Sequence, residues 1–156
     1  MSGRAERGEL VKDTDGKPHL QDSLFFVSIS HTVGYAAAIA HPRPCGVDVQ
    51  RIVPRIRQLA RKFVNDEEEA RLTTEQELVQ LHLIWSAKEA LYKAYGKRQL
   101  DFRQHLFVDV SDCSGVEGRG SARLINPACD RHFELAYRIY DNFVVVGAIE
   151  MPGFPA

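Results

Sequence analysis

The sequence predicts an α+β fold in which helices pack against antiparallel sheet, and two observations carry that prediction. Strand-like and helical segments occur in blocks: three strands come first, then two or three helices, then about four more strands. Of the 156 residues, 44% are hydrophobic and 26% are charged, as in ordinary globular proteins that bury one core or two small lobes sharing one. We therefore expect a chain that folds by itself.

The first block of strands begins after a polar segment. Residues 1–18 are rich in Gly, Asp, Lys and Glu and show no hydrophobic period, so we expect a mobile or loosely packed lead-in. The apolar runs LFFVSIS (24–30) and GYAAAIA (34–40) follow, and their spacing predicts a hairpin of two buried strands. CGVDVQ (45–50), in which apolar and polar residues alternate, predicts a third strand.

The helical block opens at Pro54, after which apolar residues recur at helical spacing. Asn65 or Asp66 can cap a short second helix. A long third helix is expected over residues 74–95, with a threonine as its N-cap and Gly96 as its C-terminal stop. The last strands are expected at HLFVDV (105–110), SARLI (121–125), FELAYRIY (133–140) and FVVVGAIE (143–150), with turns at 114–120 and 141–142.

Composition and charge exclude several classes of protein. The net charge is −1, so no global feature indicates binding to nucleic acid or to an anionic membrane. No apolar run approaches the roughly 18 residues of a membrane span, and the N-terminal segment lacks the apolar stretch of a secretory signal. Cys45, Cys113 and Cys129 are far apart and lack CxxC spacing, which argues against a disulfide framework and a zinc site. We expect a cytoplasmic protein.

Charged residues on two apolar faces are the first sign of a site. At about 100° per residue, Lys88 falls within the apolar arc of the third helix and Glu89 lies at its edge. Asp48 is the acidic residue of the apolar strand GVDV. Each of these charges could also have a purely structural explanation. Lys88 could extend its ammonium to solvent, Glu89 could pair with Lys93, and Asp48 could pair with an arginine. If the strand packs near the helix, Asp48 and Glu89 become two oxygen ligands suited to Mg²⁺. The donors to phosphate beside such an ion would be Lys88, Lys93 and His31.

Four motifs occur in an order that resembles one family. GVDV (46–49) and, about forty residues later, WSAKEALYK (85–93) resemble the two signature motifs of the 4′-phosphopantetheinyl transferase superfamily. Upstream, GKP (16–18) and FVSISH (26–31) are similar to the GKP and SxSH elements of its two-lobed, surfactin-synthetase-activating branch. The resemblance implies the fold of that superfamily with an incomplete first lobe. The chain would then divide into the lead-in (1–18), a remnant of the first lobe (19–44) and a second lobe that carries the metal and coenzyme A motifs (45–152).

The resemblance also implies an activity of the holo-acyl-carrier-protein synthase type, as in fatty acid biosynthesis. Phosphopantetheine would move from coenzyme A to a serine of an apo acyl or peptidyl carrier protein, with Mg²⁺ as cofactor and adenosine 3′,5′-bisphosphate as the other product. Asp48 and Glu89 would ligate Mg²⁺, and Glu89 would help remove the proton from the attacking hydroxyl. Lys88 and Lys93 would neutralise charge on the leaving group. The residues assigned to coenzyme A binding are Lys17, Ser30, His31, Lys88 and Lys93.

The first helix carries arginines that would dock the partner, because carrier proteins are usually acidic. These residues are Arg51, Arg55, Arg57 and Arg61. The alternative is a solvated helix face that is balanced by the acidic residues 66–69.

Two features depart from the family pattern. Gln50 stands where many members carry a second acidic residue, which puts the affinity for metal in question. Only fifteen residues precede Gly16, where the resemblance to a two-lobed member would lead us to expect most of a first lobe. Three explanations stay open: a truncated sequence, a homo-oligomer in which a second subunit supplies the surface, or a catalytically silent member that binds only carrier protein or coenzyme A.

Overall fold

In the computed structural model, which describes residues 8–97, 99–110 and 113–153, two antiparallel sheets and three helices form the fold. The first sheet has the order β1 (Leu10–Lys12), β2 (Pro18–Leu20), β3 (Phe26–Thr32) and β4 (Tyr35–His41). The second has the order β5 (Cys45–Arg51), β9 (Phe143–Glu150), β8 (Cys129–Ile139), β7 (Glu117–Asn126) and β6 (Leu106–Asp109). The α+β class expected from the block order is confirmed.

Two short strands, β1 and β2, lie within and just beyond the predicted lead-in. The turn between them is closed by Asp13, whose carboxylate accepts from the backbone N–H groups of Asp15 and Lys17 at 3.0 and 2.9 Å. Gly16 completes the turn with φ of +83°, a conformation that glycine adopts without steric cost. A strand of three residues is too short for hydrophobic alternation to reveal it. Residues 1–7 of the lead-in lie outside the described residues, and the division into lobes remains a prediction.

The helices are α1 (Ile56–Phe63), α2 (Asp66–Ala70) and α3 (Glu77–Tyr95). Asn65 caps α2, as one of the two predicted candidates, and Gly96 ends α3 with φ of +69°. The predicted threonine N-cap of α3 is wrong, because the helix begins at Glu77 with Gln76 at the N-cap position and without a side-chain cap hydrogen bond. Within the described residues, no helix combines the length and apolar character needed to cross a membrane.

The last four strands form where the sequence predicts strands, but one turn differs. β7 begins at Glu117, inside the predicted turn 114–120, and the tight turn between β7 and β8 lies at residues 127–128. The predicted turn at 141–142 connects β8 to β9. β7 and β8 pair over ten register positions, so the long hairpin extends beyond the short apolar segments that were visible in the sequence.

Helix α3 lies directly on strand β5, and this contact positions the site. A Cβ atom added to Gly46 would stand 1.8 Å from the carbonyl oxygen of Ala90, so the backbone of β5 touches the helix there. Around this contact the core consists of buried apolar side chains, among them Phe63, Leu81, Leu91, Leu124 and Phe133. The side chains of alternate β5 residues therefore face α3 at very short range.

The two sheets meet where β3 runs beside β5, and serine hydroxyls join them. Oγ of Ser28 accepts from the backbone N–H of Val47 at 3.1 Å, and Oγ of Ser30 accepts from that of Val49 at 3.1 Å. These side chains satisfy β5 amides that a neighbouring strand would otherwise bind. The SxS pattern of β3 is thus a sheet junction that lies against the GVDV strand.

Candidate active site

The carboxylate of Asp48 lies at the centre of the site, on the face of β5 that meets α3. Asp48 is 2% exposed, and its oxygens accept from three side chains: Ser30 Oγ at 3.2 Å, Gln50 Nε2 at 3.0 Å and Lys93 Nζ at 3.0 Å. A buried carboxylate is tolerated when it is paired and hydrogen-bonded in this way. The cation that pairs with Asp48 is therefore a lysine from α3 and not the arginine of the alternative interpretation.

Glu89 is the second carboxylate of the site, and its environment disfavours a charge. Burial, followed by the negative charge of Asp48, raises the pKa of Glu89 to about 7, while the positive charge of Lys93 opposes the shift. In the described part of the chain the Glu89 carboxylate has no hydrogen bond or ion pair. A carboxylate with this pKa can take up and release a proton near neutral pH.

Lys93 lies between the Asp48 carboxylate and a neighbouring cavity. Its Nζ donates to the carbonyl oxygen of Val47 at 3.0 Å as well as to Asp48, and 26% of its side chain remains exposed. The same side chain lines a cavity of about 190 Å³ between the β1–β2 turn and the end of α3. Lys17 and Lys97 also line this cavity. Asp15 is the acidic residue of the lining, so the three lysines leave an excess of positive charge that favours an anionic ligand.

Lys17 spans the C-terminal end of α3. Its Nζ donates to the carbonyl oxygen of Ala94 at 2.8 Å and lies 5.7 Å from the centre of the Phe26 ring. Burial lowers the pKa of Lys17. A cation at this position stabilises the last carbonyls of the helix. The structure therefore places Lys17 at the cavity, with a protein partner of its own.

The other residues assigned to coenzyme A are divided between two places. Ser30 is buried and faces Asp48, so it belongs with the carboxylates rather than the cavity. His31 follows on the opposite face of β3, where it is exposed and outside the cavity lining. The face that carries His31 also carries Ile29, which does line the cavity.

Lys88 is not brought to this group. Its side chain is 0% exposed, and its ammonium forms an ion pair with Glu68 at 2.8 Å. Burial lowers the pKa of Lys88 and raises the pKa of Glu68, while their mutual attraction opposes both shifts. Glu68 lies on a different helix, and no spacing in the sequence connects the two residues. The solvent-reaching alternative for Lys88 is wrong, because the side chain is enclosed.

Sequence reasoning missed two contacts at the site and one buried hydroxyl group of α3. Gln50 was noted for the charge it lacks, but its amide donates to Asp48 and thereby occupies one of that residue's oxygens. Tyr92 lines the cavity beside Lys93. Ser86 Oγ, on the buried side of α3, is a buried side-chain oxygen without a hydrogen-bond partner among the described residues. Helical spacing alone does not distinguish such residues from core positions.

The oxygen donors of the site suit a divalent cation that keeps much of its water. Within the described residues, no three His, Cys, Asp or Glu side chains cluster as a metal site. Asp48 and Glu89 nevertheless supply two carboxylates whose repulsion a cation would relieve. Gln50 adds a neighbouring amide oxygen. Because Mg²⁺ keeps several water ligands and binds few protein carboxylates, this set fits Mg²⁺.

A second concavity, of about 230 Å³, lies between α1 and α3. Arg51 and Arg55 line it, and so do the apolar side chains of Val53 and Leu59, which are 45% and 39% exposed. Gln50 lines the same concavity while it donates to the buried carboxylate of β5. The basic end of α1 therefore lies next to the candidate site.

His82, on α3, binds the segment before α1 through a ring nitrogen that must stay unprotonated. The backbone N–H of Val53 donates to Nε2 at 3.0 Å, so Nδ1 carries the proton that it shares with the Leu78 carbonyl at 2.7 Å. Burial lowers the pKa of His82, and the charge of Arg57 lowers it further. A second proton would remove the acceptor that Val53 requires.

We expect this histidine to make stability fall in acid. Because the folded pKa is lower than the ordinary value of 6.5, the unfolded chain binds more protons, and stability is lost as pH falls from the unfolded pKa toward the folded pKa. Urea midpoints at pH 7 and pH 5 test this, and His82→Gln should reduce the difference between them. The control is the same substitution at exposed His31, which should leave the difference intact; equal differences in His82→Gln and the unmodified chain would contradict the assignment.

The comparison with known proteins agrees with the two signature motifs GVDV and WSAKEALYK, whereas GKP and FVSISH lie outside the range that it matches. A family model described as the 4′-phosphopantetheinyl transferase superfamily matches residues 44–146, a range that contains Asp48, Glu89 and Lys93. No curated protein matches the chain.

Proposed function

Because the chain belongs to the 4′-phosphopantetheinyl transferase superfamily, we propose that it moves phosphopantetheine from coenzyme A to a serine of an apo acyl or peptidyl carrier protein. The observation that carries this proposal is the juxtaposition of Asp48, Glu89 and Lys93 beside a lysine-lined cavity. Carboxylates and a cation at one place suit a reaction in which an anionic phosphate group must be held and attacked.

Asp48, Glu89 and the amide of Gln50 are the residues that would hold Mg²⁺. When bound, the ion supplies positive charge against the pyrophosphate oxygens. Glu89 accepts the proton of the carrier serine as the new oxygen–phosphorus bond forms. The bond to adenosine 3′,5′-bisphosphate breaks in the same step. Lys93, which donates to Asp48 and lines the cavity, neutralises charge on the departing phosphate.

The cavity between the β1–β2 turn and α3 is the proposed place for coenzyme A. A phosphate of coenzyme A would replace the Ala94 carbonyl oxygen as the acceptor of the Lys17 ammonium. Lys97 would add a third cation beside Lys17 and Lys93. His31 would reach a phosphate only from the rim, since its side chain lies beyond the cavity lining.

The test of this function is direct transfer. The purified chain is incubated with coenzyme A, Mg²⁺ and a small panel of apo carrier proteins drawn from fatty acid, polyketide and nonribosomal peptide synthesis. Intact mass should increase by one phosphopantetheine group on at least one carrier. No addition, while coenzyme A still binds, would reject the proposal in favour of a catalytically silent member of the superfamily.

We also propose that the arginines around α1 dock the carrier protein. Arg51, Arg55 and Arg61 are exposed and make no ion pair in the part of the chain that the structure describes, whereas Arg57 pairs with Glu77 at 3.0 Å. In the acidic segment 66–69, Asp66 pairs with Arg103 and Glu68 is buried, so these two carboxylates do not balance the arginines. An acidic helix could therefore approach this surface, and the adjacent concavity leads to Gln50.

Charge reversal at Arg57 and Arg61 should raise the KM for carrier protein by about tenfold and leave the KM for coenzyme A unchanged. The reason is that the reversed charges repel an acidic partner but lie away from the cavity. Steady-state transfer assays with each substrate varied measure both constants. The same reversal at Arg119 and Arg138, on the distant β7–β8 hairpin, is the control; an equal increase there, or no increase for α1, would refute the docking surface.

Replacement of Gln50 by glutamate should lower the Mg²⁺ concentration that gives half-maximal rate. The substitution replaces an amide donor to Asp48 by a further carboxylate, which repels its neighbours without metal and attracts a cation. In EDTA the variant should accordingly melt at a lower temperature than the unmodified chain. Gln58→Glu, on the exposed side of α1, controls for added surface charge. An unchanged or higher Mg²⁺ requirement in Gln50→Glu would count against the proposed metal site.

A further inference from the structure

The buried ion pair between Lys88 and Glu68 lies apart from the carboxylates of the candidate site. The Lys88 ammonium donates to the Phe63 carbonyl oxygen, to Glu68 Oε2 at 2.8 Å and to the Phe102 carbonyl oxygen at 2.8 Å. These acceptors come from the end of α1, from α2 and from the loop that follows α3. The side chain thus extends from α3 into the interface with these segments, away from Asp48 and Lys93.

The hydrogen-bond donors of Lys88 are fully used within the protein. A lysine ammonium has three hydrogens to donate, and in Lys88 each has an acceptor from the protein. The side chain is 0% exposed, so an incoming anion would have to displace buried partners and open the core. Lys93 differs, because 26% of its side chain is exposed and it lines the cavity.

Glu68 extends the network to two further segments. Its Oε2 accepts from the backbone N–H of Asn65 at 3.0 Å, and its Oε1 accepts from that of Val108 at 2.9 Å. The pair therefore ties the start of α2 and strand β6 to the middle of α3. Glu68 itself is 2% exposed, so its charge depends on Lys88 for compensation.

The network controls the residue next to Lys88 in sequence. Consecutive helical residues point about 100° apart, so fixing the direction of Lys88 fixes the rotation of α3 that directs Glu89 toward β5. Trp85, one turn earlier, adds apolar contacts to the same segments, with its ring centre 5.1 Å from that of Phe63 and 5.5 Å from that of Phe102. The lysine side of α3 is an anchor, and the glutamate side faces the site.

We propose that Lys88 is a positioning residue, whose ion pair with Glu68 sets the rotation of α3 and hence the direction of Glu89, and that Lys88 makes no contact with substrate phosphate. The effect on catalysis rests on the proposed transferase function, whereas the anchoring role does not. The consecutive residues Lys88 and Glu89 of the motif would then have different roles: Lys88 anchors α3, and Glu89, on another face of the helix, belongs to the site.

The test compares Lys88→Met, Glu68→Gln and the double variant Lys88→Met/Glu68→Gln. Lys88→Met leaves a buried carboxylate without its cation, so Tm should fall by about 10 °C and kcat should fall with it. In the double variant the amide introduced at position 68 can still accept from a backbone N–H and can donate to a carbonyl that Lys88 released. At least half of the loss in Tm should return, together with kcat.

The affinity for coenzyme A distinguishes a Lys88 that anchors α3 from a Lys88 that binds phosphate. Its dissociation constant by calorimetry and its KM should stay within about twofold in the double variant, whereas Lys93→Met should raise both about tenfold, the equivalent of one charged contact. A tenfold weaker binding of coenzyme A by the double variant, with Tm restored, would overturn the proposal. So would a Tm unchanged by Lys88→Met, or no return of Tm in the double variant.

The melting and calorimetric measurements do not require turnover. If the unmodified chain transfers nothing, the function fails, yet the Tm pattern and coenzyme A binding still decide whether Lys88 anchors α3. If Lys88→Met does not yield folded protein, Glu68→Gln and the double variant carry the comparison, because the double variant should then fold where the single Lys88 variant does not.

Discussion

Replacing Glu89 with alanine should lower phosphopantetheine transfer by about a thousandfold, because the substitution removes a proton acceptor and one of two candidate metal ligands at once. Loss of a general base alone costs roughly a hundredfold to ten-thousandfold. The measurement is single-turnover transfer to a carrier protein, followed by intact mass. Glu89→Gln should be equally inactive, since an amide has nearly the same shape but accepts no proton.

The fold should survive these substitutions. The raised pKa of Glu89 means that its charged form is disfavoured in the folded chain, so a neutral side chain at this position removes an unfavourable charge rather than a stabilising contact. Melting in EDTA should therefore show a Tm at or above that of the unmodified chain. Glu75→Ala, on an exposed turn before α3, serves as the control for activity. Retention of more than a tenth of the transfer rate by Glu89→Ala would exclude Glu89 from the chemistry.

The grouping of Asp48, Glu89 and Lys93 could be anticipated because each charge stands out against an apolar background. A carboxylate in a buried strand needs a cation, and a helix of the same chain offered two lysines. The sequence did not reveal which lysine would serve. Helical projection places Lys88 within the apolar arc and Lys93 outside it, about 140° from Lys88. The choice between them depends on where α2 lies, and that follows only from tertiary packing.

The first sheet shows a second limit of sequence reasoning. The β3–β4 hairpin was predictable because its strands are seven residues long and apolar. Ser30 of the SxS pattern was assigned to coenzyme A only through family resemblance, and in the structure the hydroxyls of Ser28 and Ser30 accept from the amides of β5. Hydroxyl groups that bind backbone leave no periodic signal, because the same residues are common in loops and at helix caps. Side-chain junctions of this kind must be seen in three dimensions.

Gly46 shows how the spacing of the site depends on one missing methyl group. The Cβ of an alanine there would stand 1.8 Å from the Ala90 carbonyl oxygen and 2.8 Å from its carbon, both backbone atoms of α3. Side-chain rotation cannot relieve such a contact, so either β5 or the helix must shift. Gly46 and Asp48 occupy the same face of β5, because alternate residues of a strand point the same way. A shift at Gly46 therefore separates Asp48 from Glu89.

Gly46→Ala should consequently destabilise the fold by about 3 to 5 kcal/mol, the upper range for overpacking a core, which corresponds to a fall in Tm of about 10 °C. Transfer should also decline at temperatures where the variant remains folded, since the two carboxylates no longer share one cation.

Gly147→Ala is the matched control: Gly147 pairs with Val47 in the neighbouring strand, and its added Cβ would meet only Ile39 Cδ1 at 3.8 Å and the Ala136 carbonyl oxygen at 4.0 Å. That variant should keep its Tm and its activity. Equal Tm values for the two variants would contradict the close contact between β5 and α3, whereas a destabilised but fully active Gly46→Ala would show that the distance between the carboxylates is not what limits transfer.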